Sequence, residues 1–208
     1  RPIHCAAISG NIPIVEMLLA KGAFINDQDD NGATPLTFAV ARRQLDMVSY
    51  LIDKGADVNL PNNRGVTPLH FAGTPEVAAV ILDNGGMMNA QSNDGTTVLH
   101  NAAGGGRIEL VQFLLQRGAD PNSRNNEGIT PLFWLRGENG PAIAKLLIEH
   151  GGMATIRDNE NSTPLHTTAS VGSIEIAELL LSKGAGINAK DNFGWTPLCM
   201  AAMCNAEI

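Results

Sequence analysis

An internal repeat of 33 residues limits the fold of this sequence more than any other feature. Prolines recur at this interval, glycines recur at it as well, and each series contains one shorter step of 30 residues. Because two independent markers share the interval and the exception, the chain consists of copies of one small unit, and the third copy has lost three residues between Pro68 and Gly85. The first marker is Pro2, Pro35, Pro68, Val98, Pro131, Pro164 and Pro197, and the second is Gly22, Gly55, Gly85, Gly118, Gly151 and Gly184.

Each copy carries the signals of two short helices followed by a turn. A Thr-Pro pair such as Thr34-Pro35 supplies a side-chain acceptor at the N-cap and a proline at the first helical position. Small residues follow in this first helix, and a second apolar pattern at helical spacing, for example across 110–115, predicts a buried second helix. The copy then closes in a Gly-Ala-Asp-Val-Asn segment, as at 55–59, which fits a left-handed helix cap and an extended turn.

Taken together, Thr-Pro-Leu-His, the small residues, the Leu-Leu helix and Gly-Ala-Asp-Val-Asn resemble the ankyrin repeat over nearly the whole chain. The resemblance implies an all-α repeat solenoid of stacked helix-turn-helix ankyrin repeats with β-hairpin loops. We expect one ankyrin repeat domain over residues 1–208 and, because neither end carries a polar capping repeat, we expect it to be part of a longer chain. The expected repeats number about seven: 1–28 (partial), 29–61, 62–91 (short), 92–124, 125–157, 158–190 and 191–208 (partial).

Composition excludes some classes of partner and favours others. The formal net charge of −7 argues against nucleic acid, because neutralising phosphates requires a basic face. No apolar run approaches the roughly 18 residues of a membrane span, so no direct membrane insertion is expected. Cys5, Cys199 and Cys204 are too few for a disulfide framework or a four-thiolate zinc site. These features predict an intracellular protein, cytoplasmic or nuclear, that is monomeric as an isolated array.

Neither a catalytic nor a metal-binding arrangement emerges from the sequence. Four of the five histidines occupy the same place in the Thr-Pro-Leu-His element and are at least one repeat apart, and helices one repeat apart are separated by about 8–10 Å. Two nitrogens on one zinc must lie within roughly 4 Å of each other, so we interpret these histidines as structural groups that bond loop backbone. The glycines at 104–106 lack the Lys-Ser/Thr ending of a phosphate loop. We therefore predict no catalytic residue, no metal and no cofactor.

The predicted function is protein–protein interaction, in which the array binds a partner protein through its concave face and hairpin tips. An alternative remains open: the array is a recruiting or regulatory segment of a longer enzyme, channel or secreted effector, with the activity outside these residues. The fold does not identify the partner, because one scaffold serves unrelated partners.

Candidate contact residues are those that vary between copies at places where the resemblance implies that ligands bind. Binding energy concentrates in aromatic and arginine anchors, which narrows the candidates to Arg42, Arg43, Arg64, Trp134, Phe193 and Trp195. For Trp134 a space-filling role is an equal alternative, because it lies in the irregular segment Phe133–Arg136. The resemblance also implies that Asn59 is a possible site of asparaginyl hydroxylation, beside its simpler role of stabilising a turn.

Overall fold

The computed structural model describes the backbone of residues 1–205 and the side chains of residues 1–203, so the Cys204 side chain lies outside the described residues. Within this part of the chain the secondary structure is helical, with no strand. Residues 1–205 form eleven α-helices and two 3₁₀ helices. They are α1 (Pro2–Ser9), α2 (Ile12–Ala20), α3 (Pro35–Ala41), α4 (Leu45–Asp53), a first 3₁₀ helix (Pro68–Phe71), α5 (Pro75–Asp83), α6 (Val98–Gly104), α7 (Ile108–Gln116), a second 3₁₀ helix (Pro131–Trp134), α8 (Gly140–Glu149), α9 (Pro164–Val171), α10 (Ile174–Ser182) and α11 (Pro197–Asn205).

The first helices of the repeats begin at the predicted Thr-Pro pairs. At α3 the Thr34 hydroxyl accepts a hydrogen bond from the Thr37 amide at 3.2 Å, which satisfies one of the unpaired amides of the first turn. At α9 the N-cap is Thr163, and the side chain of His166 closes the reciprocal half of a capping box. The sequence prediction of where these helices start is confirmed.

Tight loops connect one repeat to the next. Each second helix is followed by a glycine with positive φ, such as Gly55 at 88°, where a residue with a side chain would be strained. The predicted hairpins are short chain reversals closed by backbone hydrogen bonds. In the first of them the Asp29 amide donates to the Ala33 carbonyl, and the Gly32 amide donates to the Asp29 carbonyl, each at 2.9 Å. These reversals are too short to form strands.

The chain divides into two compact units, Arg1–Asn93 and Asp94–Ile208. Each unit has a core of fully buried aliphatic side chains from both helices of its repeats, and each such side chain contributes about 1.5–3 kcal/mol relative to exposure. Prominent members are Leu36, Met47, Leu51, Leu69 and Ile81 in the first unit, and Leu99, Leu110, Leu114, Leu132, Ile143, Leu147 and Ile176 in the second.

Two repeats depart from the helix-pair pattern in the same way. The first helix of the third repeat is only a 3₁₀ turn, as the short copy predicts, because Pro75 forces Thr74 into an extended conformation with φ −142° and ψ 158°. The first helix of the fifth repeat is also reduced to a 3₁₀ turn, which the sequence analysis did not predict. There the helix stops where Leu135 turns to φ −68° and ψ 125°.

Thr74 is the N-cap residue of α5, but its hydroxyl makes no bond to the helix amides. A backbone hydrogen bond at Glu76, followed by a bond from the Thr74 hydroxyl, lowers the pKa of the Glu76 carboxyl below its ordinary value. The threonine therefore supports the start of α5 through a carboxylate in the first turn, where negative charge is favoured.

Candidate functional site

The buried histidines are structural, as the sequence analysis predicts. His166 lies with its Nε2 atom 3.2 Å from the Trp195 carbonyl oxygen, and its Nδ1 atom accepts a hydrogen bond from the Thr163 amide at 3.1 Å. His100 makes the equivalent contacts, with Nε2 at 3.0 Å from the Ile129 carbonyl. Each of these imidazoles therefore joins the start of its own helix to the hairpin of the next repeat. No group of three or more His, Cys, Asp or Glu side chains that could hold a metal ion occurs in the described residues.

Free thiols occur at Cys5 and Cys199, and both residues are exposed. A hydrogen bond from the Thr196 hydroxyl lowers the pKa of the Cys199 thiol below its ordinary value, with a smaller contribution from the Thr196 backbone. The sulfur of Cys199 lies 3.3 Å from the Thr196 hydroxyl, which donates to it.

The three candidate arginines of the first unit lie outside the helices, two of them directly after α3 and one in a hairpin. Arg42 is the exposed C-cap of α3, and Arg64 is exposed in the second hairpin. Arg43 follows with a left-handed φ of 57°, and its guanidinium lies against the backbone of Gly73 so closely that a side chain at Gly73 would overlap it. Arg43 therefore has a packing role in addition to being exposed.

Two of the candidates in the second unit form one aromatic pair on the last hairpin. The rings of Phe193 and Trp195 have centroids 5.9 Å apart and an interplanar angle of 41°. Phe193 is 67% exposed and Trp195 is 40% exposed, although the backbone beneath them is fixed. The carboxylate of Asp191 accepts from both backbone amides, at 2.9 and 2.8 Å. The structure thus holds an exposed aromatic surface on a rigid loop.

Trp134 lies apart from that pair, on the second 3₁₀ helix. Its ring is half-buried, with an edge contact to His100 at a centroid distance of 5.4 Å and an angle of 68°. The ring also packs on Gly104, where a Cβ would lie 3.2 Å from a ring carbon. Trp134 therefore fills space in part, as one of the two interpretations holds, while part of its surface stays accessible. Beside it is a pocket of about 380 Å³ lined by Asn101, Gly104, Trp134 and Arg136.

Two sets of residues were not singled out from the sequence. Arg136 lines the Trp134 pocket, and the only signal for it was its place beside a bulky residue in an irregular repeat. Arg157 is structural: one guanidinium nitrogen donates to the carbonyls of Asn161 at 2.6 Å and of Lys190, one repeat further on, at 3.0 Å. Gln28 makes the same pair of contacts in the first unit, so this position recurs with the repeat.

Asn59 has the turn-stabilising role that its position predicts. Its side-chain amide donates to the Gly85 carbonyl at 2.9 Å, and its side-chain oxygen accepts from the Met87 amide at 2.9 Å. Asn122 bonds Gly151 and Met153 in the same way. Hydroxylation of Asn59 stays a prediction.

Within residues 1–205, none of the helices has both the length and the apolar content needed to cross a membrane.

Repeated pairs of short helices define an ankyrin-type array: most pairs start at a Thr-Pro cap, and histidine or asparagine side chains tie several of them to the next loop. The chain belongs to the ankyrin repeat family: the family model, which describes ankyrin repeats in three copies, matches the overlapping segments 3–92, 54–125, 71–158, 99–191 and 137–208.

Solved structures of ankyrin repeat domains are similar over most of the chain. The human ASB11 ankyrin repeat domain superimposes with a TM-score of 0.86 and 26% identity, over 97% of this chain and 91% of that one. The ankyrin repeat domain of Bcl-3, a member of the IkappaB protein family, gives 0.80 and 29% over 97% and 93%. An ankyrin repeat domain from Acinetobacter baumannii AYE gives 0.76 and 30% over 89% and 98%. No curated protein sequence matches the chain. Ankyrin repeats are generally protein–protein interaction modules and are typically non-catalytic.

Proposed function

We propose that this chain binds a partner protein through its hairpin tips and the exposed side of its first helices, the face expected to be concave in an ankyrin array. The observation that carries the proposal is the exposed pair of Phe193 and Trp195. Two large aromatic rings in contact on a fixed loop are unusual on a solvent-exposed surface that has no binding role. They match the aromatic anchors in which binding energy concentrates.

Rigidity strengthens the argument for the aromatic pair. The loop is closed by the Asp191 carboxylate and by the bond between His166 and the Trp195 carbonyl. A partner that packs on these rings would not have to order the loop, so less binding energy is lost to conformational entropy. Trp134 is a second anchor of the same unit, because His100 and Gly104 fix the position of its ring.

The first unit contributes arginines to the proposed contacts. Arg42 and Arg64 are exposed and combine a planar charged group with an apolar stem, which suits both carboxylates and aromatic rings on a partner. Arg43 is the weakest of the six candidates, because its packing on Gly73 explains its presence without a partner.

Alanine substitution tests the proposal once a partner has been captured from the native cell with this chain as bait. Trp195→Ala or Trp134→Ala is expected to weaken binding by about 2 kcal/mol or more, roughly thirtyfold. The thermal unfolding curve serves as the folding check. Ile174→Ala is a matched control, because Ile174 is 69% exposed but lies on the second helix of its repeat.

Unchanged affinity in all six variants, Arg42, Arg43, Arg64, Trp134, Phe193 and Trp195 to alanine, would place the interface elsewhere. A loss confined to Ile174→Ala would place it on the second helices.

A further inference from the structure

The pocket beside Trp134 adjoins a second hollow at the junction between the fourth and fifth repeats. This second hollow, of about 420 Å³, lies over Gly104–Gly106 and the segment Arg136–Asn139, and it shares Gly104 and Arg136 with the first. Both hollows lie within the second compact unit. They exist because the fifth repeat ends its first helix at Trp134, so that an exposed loop replaces its second turn.

The other shortened repeat provides an internal comparison. At the junction between the second and third repeats, Arg43 crosses over and lies on the backbone of Gly73. By repeat register the fourth and fifth repeats carry Gly106 and Arg136 at these two places, so the arginine and the glycine have exchanged sides. Gly106 adopts a φ of 66°, close to the 57° of Arg43. The backbones correspond, yet in the fifth repeat the arginine is exposed and lines a hollow rather than covering a glycine.

Arg136 has the properties of a binding group. It makes no hydrogen bond or ion pair with any described residue, whereas Arg157 bonds two backbone carbonyls and Lys145 lies 3.9 Å from Glu149. An unpaired guanidinium beside a half-buried indole offers a charged fork for a carboxylate and an apolar wall next to it. The chain has a net charge of −7 and therefore repels acidic partners overall, whereas this arginine attracts an acidic group at one place.

We propose that this pocket receives an acidic peptide segment of the partner protein, with an Asp or Glu carboxylate on Arg136 and a neighbouring apolar side chain against Trp134. The inference rests on the proposed function and names the chemistry of one contact. A singly charged carboxylate fits better than a phosphoryl group, because Glu138 lines the adjoining hollow and repels a doubly charged group more strongly.

Selection of displayed random peptides on the whole chain tests the proposal. Enriched peptides are expected to carry Asp or Glu next to an aliphatic or aromatic residue. Changing that acid to its amide, or Arg136→Gln in the chain, is expected to weaken binding about tenfold or more, and the two changes together are expected to add little further loss. Lys145→Gln is the matched control, because it removes an exposed cation of the same unit outside the pocket and is expected to leave affinity unchanged.

A charge-conserving variant distinguishes the effect of the open pocket from the effect of net charge. Combining Arg136→Gly with Gly106→Arg transfers the closed junction of the third repeat into the fifth. The positive φ of 66° at Gly106 strains any side chain, but Arg43 adopts 57° at the equivalent place and a Cβ at Gly106 meets its nearest neighbour at 3.7 Å, so the thermal unfolding curve serves as the folding check for this variant. Binding of the acidic peptides is expected to be lost at the same net charge.

Three results would overturn the inference: enriched peptides without an acidic residue, peptides that prefer a phosphorylated residue to Asp or Glu, and acidic peptides that tolerate Arg136→Gln. If such peptides lose affinity with Phe193→Ala or Trp195→Ala, the proposed function stands and only this inference fails. If neither Arg136→Gln nor any of the six alanine variants weakens binding, both the inference and the proposed function fail.

Discussion

Replacing His166 with phenylalanine separates the hydrogen bonds of a buried histidine from its packing. The substitution keeps a planar aromatic ring at a site that is 1% exposed and removes both ring nitrogens. The phenyl ring is larger than the imidazole, so part of the cost is overpacking, which the comparison with the buried His4 below shares. The carbonyl of Trp195 can only accept, so Nε2 carries the proton and Nδ1 accepts from the Thr163 amide and hydroxyl, at 3.1 and 2.9 Å.

The magnitude follows from the groups that lose their partners. The Thr163 amide lies at a buried helix start, and a buried unpaired donor costs about 1–3 kcal/mol. The Trp195 carbonyl lies nearer to solvent, so the cost of leaving it without a partner is at the lower end of that range. We expect the His166→Phe variant to lose about 3 kcal/mol of stability in this part of the array.

Amide hydrogen exchange measures this loss locally, because each repeat is held mainly by its neighbours. Amides of α9 and of the hairpin at 191–196 are expected to exchange about a hundredfold faster, which corresponds to the free-energy change above. His4→Phe is the comparison: Nδ1 of His4 has no hydrogen-bond partner, and its Nε2 atom alone contacts the Ala33 carbonyl at 3.0 Å. That variant is expected to lose only about 1 kcal/mol.

Equal effects of the two substitutions, or less than about 0.5 kcal/mol for His166→Phe, would refute the view that the histidine bonds hold helix and hairpin together. The ring would then act by packing alone.

Three further predictions follow from the loops. Gly65→Ala is expected to lower the free energy of unfolding in urea by at least about 1 kcal/mol more than Gly55→Ala does. Both glycines have positive φ, but only at Gly65 would the added Cβ meet backbone, 2.7 Å from an amide nitrogen of the next hairpin. Equal losses in the two variants would contradict this. Asn59 in material from animal cells is expected to carry one added oxygen, about 16 daltons in intact mass, and an unmodified mass would leave only its turn-stabilising role. Hydrogen-exchange protection is expected to be lowest at 72–74 and 135–139, where first helices stop early; uniform protection would contradict this.

Local signals made most of the fold predictable from the sequence. The Thr-Pro pairs fix where helices start because capping depends on two adjacent residues. The cap glycines fix where the second helices end, and the observed φ of 88° at Gly55 is the conformation that the pattern requires. The role of the histidines was also predictable, since one place in a repeat must meet the same neighbour each time.

The early end of the fifth repeat's first helix was not predictable in the same way. Leu135 and Arg136 favour helix by intrinsic propensity, and Gly137 alone is a weak stop signal. The Trp134 pocket depends on contacts between residues that are distant in sequence. It is open because Gly106 occupies the position that Arg43 has in the second repeat. The effect of this difference on the pocket cannot be predicted unless the packing between the two repeats is known.

Hydroxyl-radical footprinting of the chain with and without its captured partner tests the central claim most directly, because aromatic side chains report their own exposure. The account predicts that oxidation of Phe193 and Trp195, or of Trp134, falls in the complex while Ile174 and Leu181, exposed on α10, keep their labelling. Protection of the α10 residues with unchanged labelling of all three aromatic side chains would contradict it.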